Sequence, residues 1–454
     1  MIDALIIVFY LVLILVIGLL AGRGIKNISQ FSLGNHSFSW VVIFATLSAS
    51  FMGGGFTMGV SSRVFTFGIL SVVGLWGFSA KELIIAKFFA PKMEKFRDSL
   101  TIGDIMATQY GRQSKIITGF FSVIVCAGVV GAQVGAMGYI FQTFLNIPKL
   151  YGVLIGSSIV IAYTSLGGIR AIVRTDVLQF AILAIGIPLT LVFGVIHVGG
   201  VAALVDSVPP ESISLVGNGK SFFAAISLFF TFLLGETLVP PYVQRLLIGK
   251  NAKHTAKGTM ASGLFSIFYF TISGLIGLVA LAMAPDLEAG TAMPYVIKTV
   301  LPLGIKGLVV AGIISAVMST ADSFLHCSAV AFVHDLIKPL RKKEFSGNQE
   351  LLWVKITTLL IGILAIIFAV KFKSLIDMCI YAWSFWSPII LVPLAALILG
   401  YKASQKTFFI SGIMGGATVI IWANLLKCPF GIDGLIIGVV VNLIVFSICH
   451  KKFD

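Results

Sequence analysis

The sequence predicts an all-α integral membrane protein with about thirteen transmembrane helices, arranged as a 5+5 inverted repeat in which helices 2 and 7 are broken. Three observations predict this. First, 58% of the 454 residues are hydrophobic and only 11% are charged, with a mean hydropathy of +1.05. Soluble domains sit near half apolar and a quarter charged. Second, the apolar residues come in repeated blocks of about 20, the length needed to cross a bilayer. Third, two of those blocks carry helix-breaking residues at corresponding places.

In chain order the expected spans cover 3–22, 38–60, 66–90, 115–144, 150–167, 175–198, 221–246, 258–284, 304–335, 351–371, 374–399, 407–426 and 432–450. They form one transporter domain. Residues 1–37 supply an extra first helix and loop, 38–200 the first five-helix unit, 221–399 the second, and 407–454 two closing helices. The first apolar block is expected to be a retained span. Asp3 is the only charge before it, and Arg23 and Lys26 follow it, the reverse of a signal peptide.

Lys and Arg concentrate in cytoplasmic loops. With the N-terminus outside and the C-terminus inside, segments on the cytoplasmic side carry 24 of the 32 Lys and Arg, including Lys81 and Arg245. The outer segments keep Arg63, Lys149, Lys220, Lys298, Lys306, Lys371, Lys373 and Lys427. The net charge of +14 is therefore read as a topology signal in a multi-pass cell-membrane protein, and nucleic acid is not required to explain it. The five cysteines are scattered and show no disulfide framework or metal spacing. No nucleophile–base pair, phosphate loop or metal-ligand cluster suggests an enzyme, and no cofactor is expected apart from a coupling ion.

Span 2 contains SFMGGGFTMG, residues 50–59, with Gly53, Gly54 and Gly55 in a row. A helical glycine costs about 1 kcal/mol relative to alanine. Span 7 contains LLGETLVPPYVQR, residues 233–245, with an intramembrane Glu236 followed by Pro240 and Pro241. Proline removes a helical donor and clashes with the preceding turn. Opened backbone at membrane depth survives only where it is buried in protein or lines a cavity. Two breaks five spans apart match inverted-repeat transporters, which bind solute and ion between discontinuous helices at mid-membrane. The other reading of the glycines is close helix packing. If the helix is open, its second half starts near Phe56 and offers free N–H groups to an anion, while the stub carbonyls face a cation.

Span 9 reads GIISAVMSTADSFLHCSA, residues 312–329. Ala316, Ser319, Thr320 and Ser323 share a face, with Asp322 and His326 beside it at i, i+4. Hydroxyls and a carboxylate within one turn are hard ligands suited to an alkali cation. Asp176 opens span 6, where it is either a helix N-terminal acid or a partner of Arg174. Lys81 either snorkels to the interface or supplies positive charge at the bottom of a cavity near Phe78. Glu236 either ties down opened amides or takes an amine.

Across nearly its whole length the chain resembles the sodium/solute symporter family, whose fold is LeuT-like. The segments that carry the resemblance are SASFMGGGFTMG, SLGGIRAIVRTDVLQF, PPYVQRLL and AVMSTADS. It implies a sodium site made from the carbonyls of Ala49, Met52 and Ala316 with the hydroxyls of Ser319 and Thr320. It implies a second sodium site, found in some members, at Asp176, Asp322 and Ser323 with Ser319. ASFMGGG is similar to a motif of the choline-transporter-like branch, which holds its ligand in an aromatic cage. Phe51 and Phe78 match two cage positions, whereas the tryptophans expected near Val129 and Val239 are missing, which argues against choline.

The expected function is sodium-coupled symport of a small organic solute by alternating access, with a carboxylate or amino acid favoured. Phe51, Gly53, Gly54, Gly55, Phe78, Lys81 and Glu236 are the candidate solute-binding residues. A proton-coupled transporter, with Glu236, Asp322 or His326 as carrier, is the first alternative. A transporter-like sensor is the second, although no output-domain pattern follows span 13.

Overall fold

Within a bilayer each crossing segment must satisfy its own backbone hydrogen bonds. A computed structural model of the chain describes residues 2–216, 219–341, 343, 345–369 and 375–453. Among these residues helices dominate, and the sole sheet-like contact is an isolated bridge between Phe38 and Gly249. The topology charges expected at Lys371 and Lys373 lie outside the described residues.

The principal helices are α1 (Ile2–Ala21), α2 (Trp40–Phe51), α3 (Gly54–Phe67), α4 (Leu70–Ile84), α5 (Ile102–Leu145), α6 (Lys149–Val198), α7 (Gly219–Leu234) and α8 (Pro240–Leu247). They continue with α9 (Ala252–Met283), α10 (Ile305–Ala331), α11 (Gly347–Ala369), α12 (Leu375–Ser384), α13 (Val392–Leu399), α14 (Gln405–Ile420) and α15 (Gly434–Phe453). By length and composition, eight helical stretches among the described residues can cross a membrane, or nine if α2 and α3 count as one bent span. The expected count of thirteen does not map one-to-one onto helices, for a physical reason. The 50-residue α6 joins two expected spans at Gly168, where φ is 50° and ψ is −147°. A Cβ there would lie 2.5 Å from Phe31 O, so only glycine makes this turn. Other expected spans are divided into short pieces.

Both breaks are present. α2 ends at Phe51 and α3 begins at Gly54, with the two axes bent by 54°. Gly53 is extended between them, with φ −57° and ψ 165°. The second half therefore begins two residues before Phe56. Between α7 and α8, Leu238 takes a left-handed φ of 54° and Val239 is extended. Pro240 and Pro241 then occupy the first turn of α8, where a missing N–H is harmless. The carbonyls freed at this break are capped from one side. Ser387 Oγ lies 2.8 Å from Leu234 O and 2.7 Å from Gly235 O, and Trp386 Nε1 donates to Thr237 O at 3.3 Å.

α10 runs through the middle of the bundle against α1, α2, α5 and α6, and all its residues from 309 to 331 are buried. Asp3 at the start of α1 caps it, accepting from the amides of Gly304 (2.8 Å) and Gly307 (3.0 Å). The Phe38–Gly249 bridge ties the start of α2 to the end of α8, so the two broken helices are fastened together at one end.

Candidate ion and solute site

The break in α2 faces α10. Thr320 Oγ1 lies 2.8 Å from Ser50 O and 3.0 Å from Ala316 O. A Cβ on Gly53 would collide with Thr320 Oγ1 and stand 3.3 Å from Ala316 O. One on Gly54 would meet Val317 and approach Ile313 O to 2.9 Å. The glycines therefore serve both of the roles read from sequence: Gly53 opens the helix, and Gly53 and Gly54 bring its backbone against α10. Gly55 lies in the first turn of α3. At the stub, Thr57 Oγ1 lies 3.1 Å from both Met52 O and Gly53 O and 2.8 Å from Tyr269 OH. The Thr320 hydroxyl thus joins the carbonyls of Ser50 and Ala316 at one buried junction, while Met52 O is held by Thr57 and Ala49 is buried on α2. Neutral oxygens of this kind suit a hard monovalent cation.

Ser319 meets α2 at the same residue, through the Ser50 side chain. Its hydroxyl donates to Asp176 Oδ1 and lies 3.2 Å from Ser50 Oγ. Asp176 is fully buried on α6 and also accepts from Thr46 Oγ1. Asp322 accepts from Tyr163 OH at 2.5 Å and from Ser323 Oγ at 3.0 Å. Ser50 Oγ links the group, 3.1 Å from Ser323 Oγ. The structure thus brings Asp176, Ser319, Asp322 and Ser323 together.

It also places Arg245 among them. Arg245 donates to Ser323 Oγ and lies 3.2 Å from Ser50 Oγ and 3.4 Å from Asp176 Oδ2, with no exposed side-chain surface. Two expectations change. Arg245 is an interior partner of Asp176, so it leaves the set of cytoplasmic loop charges. Asp176 is neither a free helix-end acid nor a partner of Arg174. His326 makes no hydrogen bond to Asp322: both of its ring nitrogens lack partners among the described residues, and the ring packs on Phe31 at 4.9 Å. Sequence reasoning missed Ser50 and Arg245. The signal for Arg245 was its position directly after a proline-broken intramembrane segment, close enough to fold inward.

The third group lies where α2, α4 and the α7–α8 break converge. Lys81 Nζ is 3.6 Å from the Phe78 ring centre, 5.0 Å from that of Tyr242 and 5.5 Å from that of Phe51. It is 3.7 Å from Glu236, and both side chains are buried. Lys81 therefore does not snorkel, and it too drops out of the loop charges. Phe51, Phe78, Lys81 and Glu236 meet as the sequence suggested. Glu82, next to Lys81 on α4, is buried as well. Tyr242 supplies the third ring, one turn beyond Val239. The cage is thus three-sided, although the tryptophans expected near Val129 and Val239 are missing.

A separate polar cluster lies where the start of α5 meets the end of α10. His334 bridges Asp104 at 3.1 Å and Glu350 at 2.6 Å, and Lys115 pairs with Asp104 at 2.5 Å and Asp335 at 3.7 Å. Asp104, His334 and Asp335 are close enough to share a metal ion, but the Lys115 ammonium already stands between the two aspartates. Asp104 and His334 are 230 positions apart in the chain, so no spacing announced them.

Two interrupted helices packed around a buried, oxygen-lined junction define a membrane transporter of the discontinuous-helix class, not an enzyme. The model of the sodium:solute symporter family matches residues 31–416. The chain belongs to this family of sodium-coupled carriers of small solutes. It is 27% identical to the high-affinity proline transporter PutP of Bacillus subtilis, over 90% of each chain. It is 26% identical to the sodium/proline symporter of Escherichia coli, over 97% of this chain and 92% of that one. It is 25% identical to the high-affinity choline transporter 1 of Drosophila melanogaster, over 93% and 72%. In structure it overlays a sodium-coupled sialic acid symporter with a TM-score of 0.84 at 18% identity, covering 100% of this chain and 98% of that one. The LeuT-like fold is the one expected.

Proposed function

We propose that the protein carries a small carboxylate-bearing solute, an amino acid by preference, across the cell membrane with sodium, by alternating access. The observation that carries this reading is the junction of the broken α2 with α10. Backbone carbonyls of Ala49, Met52 and Ala316, with the Ser319 and Thr320 hydroxyls, form the sodium site, and Asp176 orients Ser319 by accepting its hydrogen bond. Sodium there fixes the open segment of α2, whose next residues begin α3 with unpaired amides that suit a carboxylate. Phe51 and Phe78 wall the pocket, and the Lys81–Glu236 pair provides charge of both signs. The relatives named as proline transporters support an amino acid, since proline carries a carboxylate and a secondary amine. The excess of Lys and Arg in alternate loops persists without Lys81 and Arg245, which supports an N-terminus outside and a C-terminus in the cytoplasm.

The test is uptake into proteoliposomes of labelled proline and a panel of amino and carboxylic acids, driven by sodium or by potassium. Sodium-dependent accumulation of a carboxylate-bearing solute is expected, with loss of binding when that carboxylate is methyl-esterified. Equal uptake in both media removes sodium coupling from the reading.

A further inference from the structure

A quaternary ammonium ligand is held by aromatic faces lying within about 6 Å of the charge. Phe51, Phe78 and Tyr242 provide such faces, but the charge between them belongs to the protein. All three ring centres lie within 5.5 Å of Lys81 Nζ, and the side chain is fully buried. We propose that Lys81 is a specificity-determining residue whose ammonium occupies this aromatic cage and excludes quaternary ammonium ligands from it. The inference that this exclusion acts on the transported solute rests on the reading of the pocket as the solute site.

The Phe78 ring holds the ammonium as closely as its carboxylate partner does. Lys81 and Glu236 form a buried ion pair at 3.7 Å, longer than an ordinary hydrogen bond. Phe78 and Lys81 stand three residues apart on α4, so the helix itself delivers the cation onto the ring beside it. Phe51 comes from the last turn of α2 and Tyr242 from the first turns of α8, so the two broken helices complete the cage.

An incoming trimethylammonium group would have to displace Lys81 into closely packed, buried surroundings, leaving two like charges in one volume. Selectivity by a resident like charge is a repulsive device. Removing the lysine side chain reverses the situation. The cage then holds three rings beside the Glu236 carboxylate, with no cation, which is a receptor for a quaternary amine.

Tetramethylammonium is the probe, and binding to the purified full-length protein is read by calorimetry and by melting temperature. Lys81→Ala is expected to bind it at least about tenfold more tightly than the wild type does, the scale of a desolvated cation–π contact. Phe78→Leu in the Lys81→Ala background should remove the gain. Should Lys81→Ala alone not fold, Lys81→Ala with Glu236→Gln removes the stranded carboxylate, and the same gain is expected. Equal affinity in wild type and variant, or no gain in a folded variant, overturns the proposal. Competition with labelled proline separates the two readings. If tetramethylammonium binds Lys81→Ala and competes, the cage is part of the solute site. If it binds without competing, the resident-cation assignment stands and the solute-site assignment falls.

Discussion

The Arg245 guanidinium lies 3.4 Å from the Asp176 carboxylate, and neither side chain has exposed surface. One comes from α8, just beyond the proline break, and the other from α6. Their meeting fills, with a fixed positive charge, the neighbourhood where the resemblance offers oxygens to a second sodium.

Arg245→Ala should therefore destabilise the protein by about 3–5 kcal/mol, the cost of stranding one partner of a buried pair. Adding Asp176→Asn should recover much of that loss, because no charge then remains unpaired. Melting temperatures of the two variants in one detergent check this. A double variant no more stable than Arg245→Ala would show that the stranded carboxylate is not what destabilises the single variant.

The sodium dependence of uptake should be hyperbolic in the wild type, because Arg245 already supplies the second cation. Asp322→Ser should change the apparent sodium affinity, and its combination with Asp176→Ala should be non-additive, since Ser323 and Ser50 connect the two acids. Sigmoidal dependence in the wild type would refute the first statement. Strict additivity would refute the second.

Ser319→Ala with Thr320→Ala should raise the sodium concentration needed for half-maximal uptake and leave expression and folding intact. Thr320 touches the opened end of α2 directly through Ser50 O, at 2.8 Å. Unchanged sodium dependence would exclude Thr320 from the ion site.

Gly53→Ala should be poorly tolerated, whereas Gly290→Ala should not be. A Cβ at 53 meets Thr320 Oγ1 and the Ala316 carbonyl, but one at 290 meets nothing within 4 Å. Overpacking of this kind costs about 1–3 kcal/mol. Pairing Gly53→Ala with Thr320→Ala should relieve the clash and recover melting temperature without recovering transport.

At the far end of α10, Lys115→Ala should cost more stability than Lys338→Ala. Lys115 serves both Asp104 and the fully buried Asp335, while Lys338 is 40% exposed and meets Glu350. Exposed pairs contribute about 0–1 kcal/mol. Equal melting temperatures for the two variants would contradict this ranking.

The sequence by itself determined that the chain is a helical membrane protein, that spans 2 and 7 are broken, and which residues line the break in α2. These follow from local rules. Apolar block length, glycine and proline chemistry and the distribution of Lys and Arg act over one or two turns, and a bilayer enforces them strictly. The meeting of Phe51, Phe78, Lys81 and Glu236 was also legible, through the charges that are exceptions to their apolar surroundings and the rings that match cage positions.

Only the tertiary structure decided what these exceptions face. Arg245 reads as a loop charge until α8 folds inward against α6. Nothing in span 9 announces that the Ser319 hydroxyl donates to Asp176, 143 positions away in sequence. Lys81 reads as either an interface cation or the charge below a cavity until three rings from α2, α4 and α8 close around it and decide the second. A buried charge is governed by the partners packed within a few ångströms, because low local polarity magnifies those interactions. Such partners come from distant parts of the chain, so no window of sequence contains them.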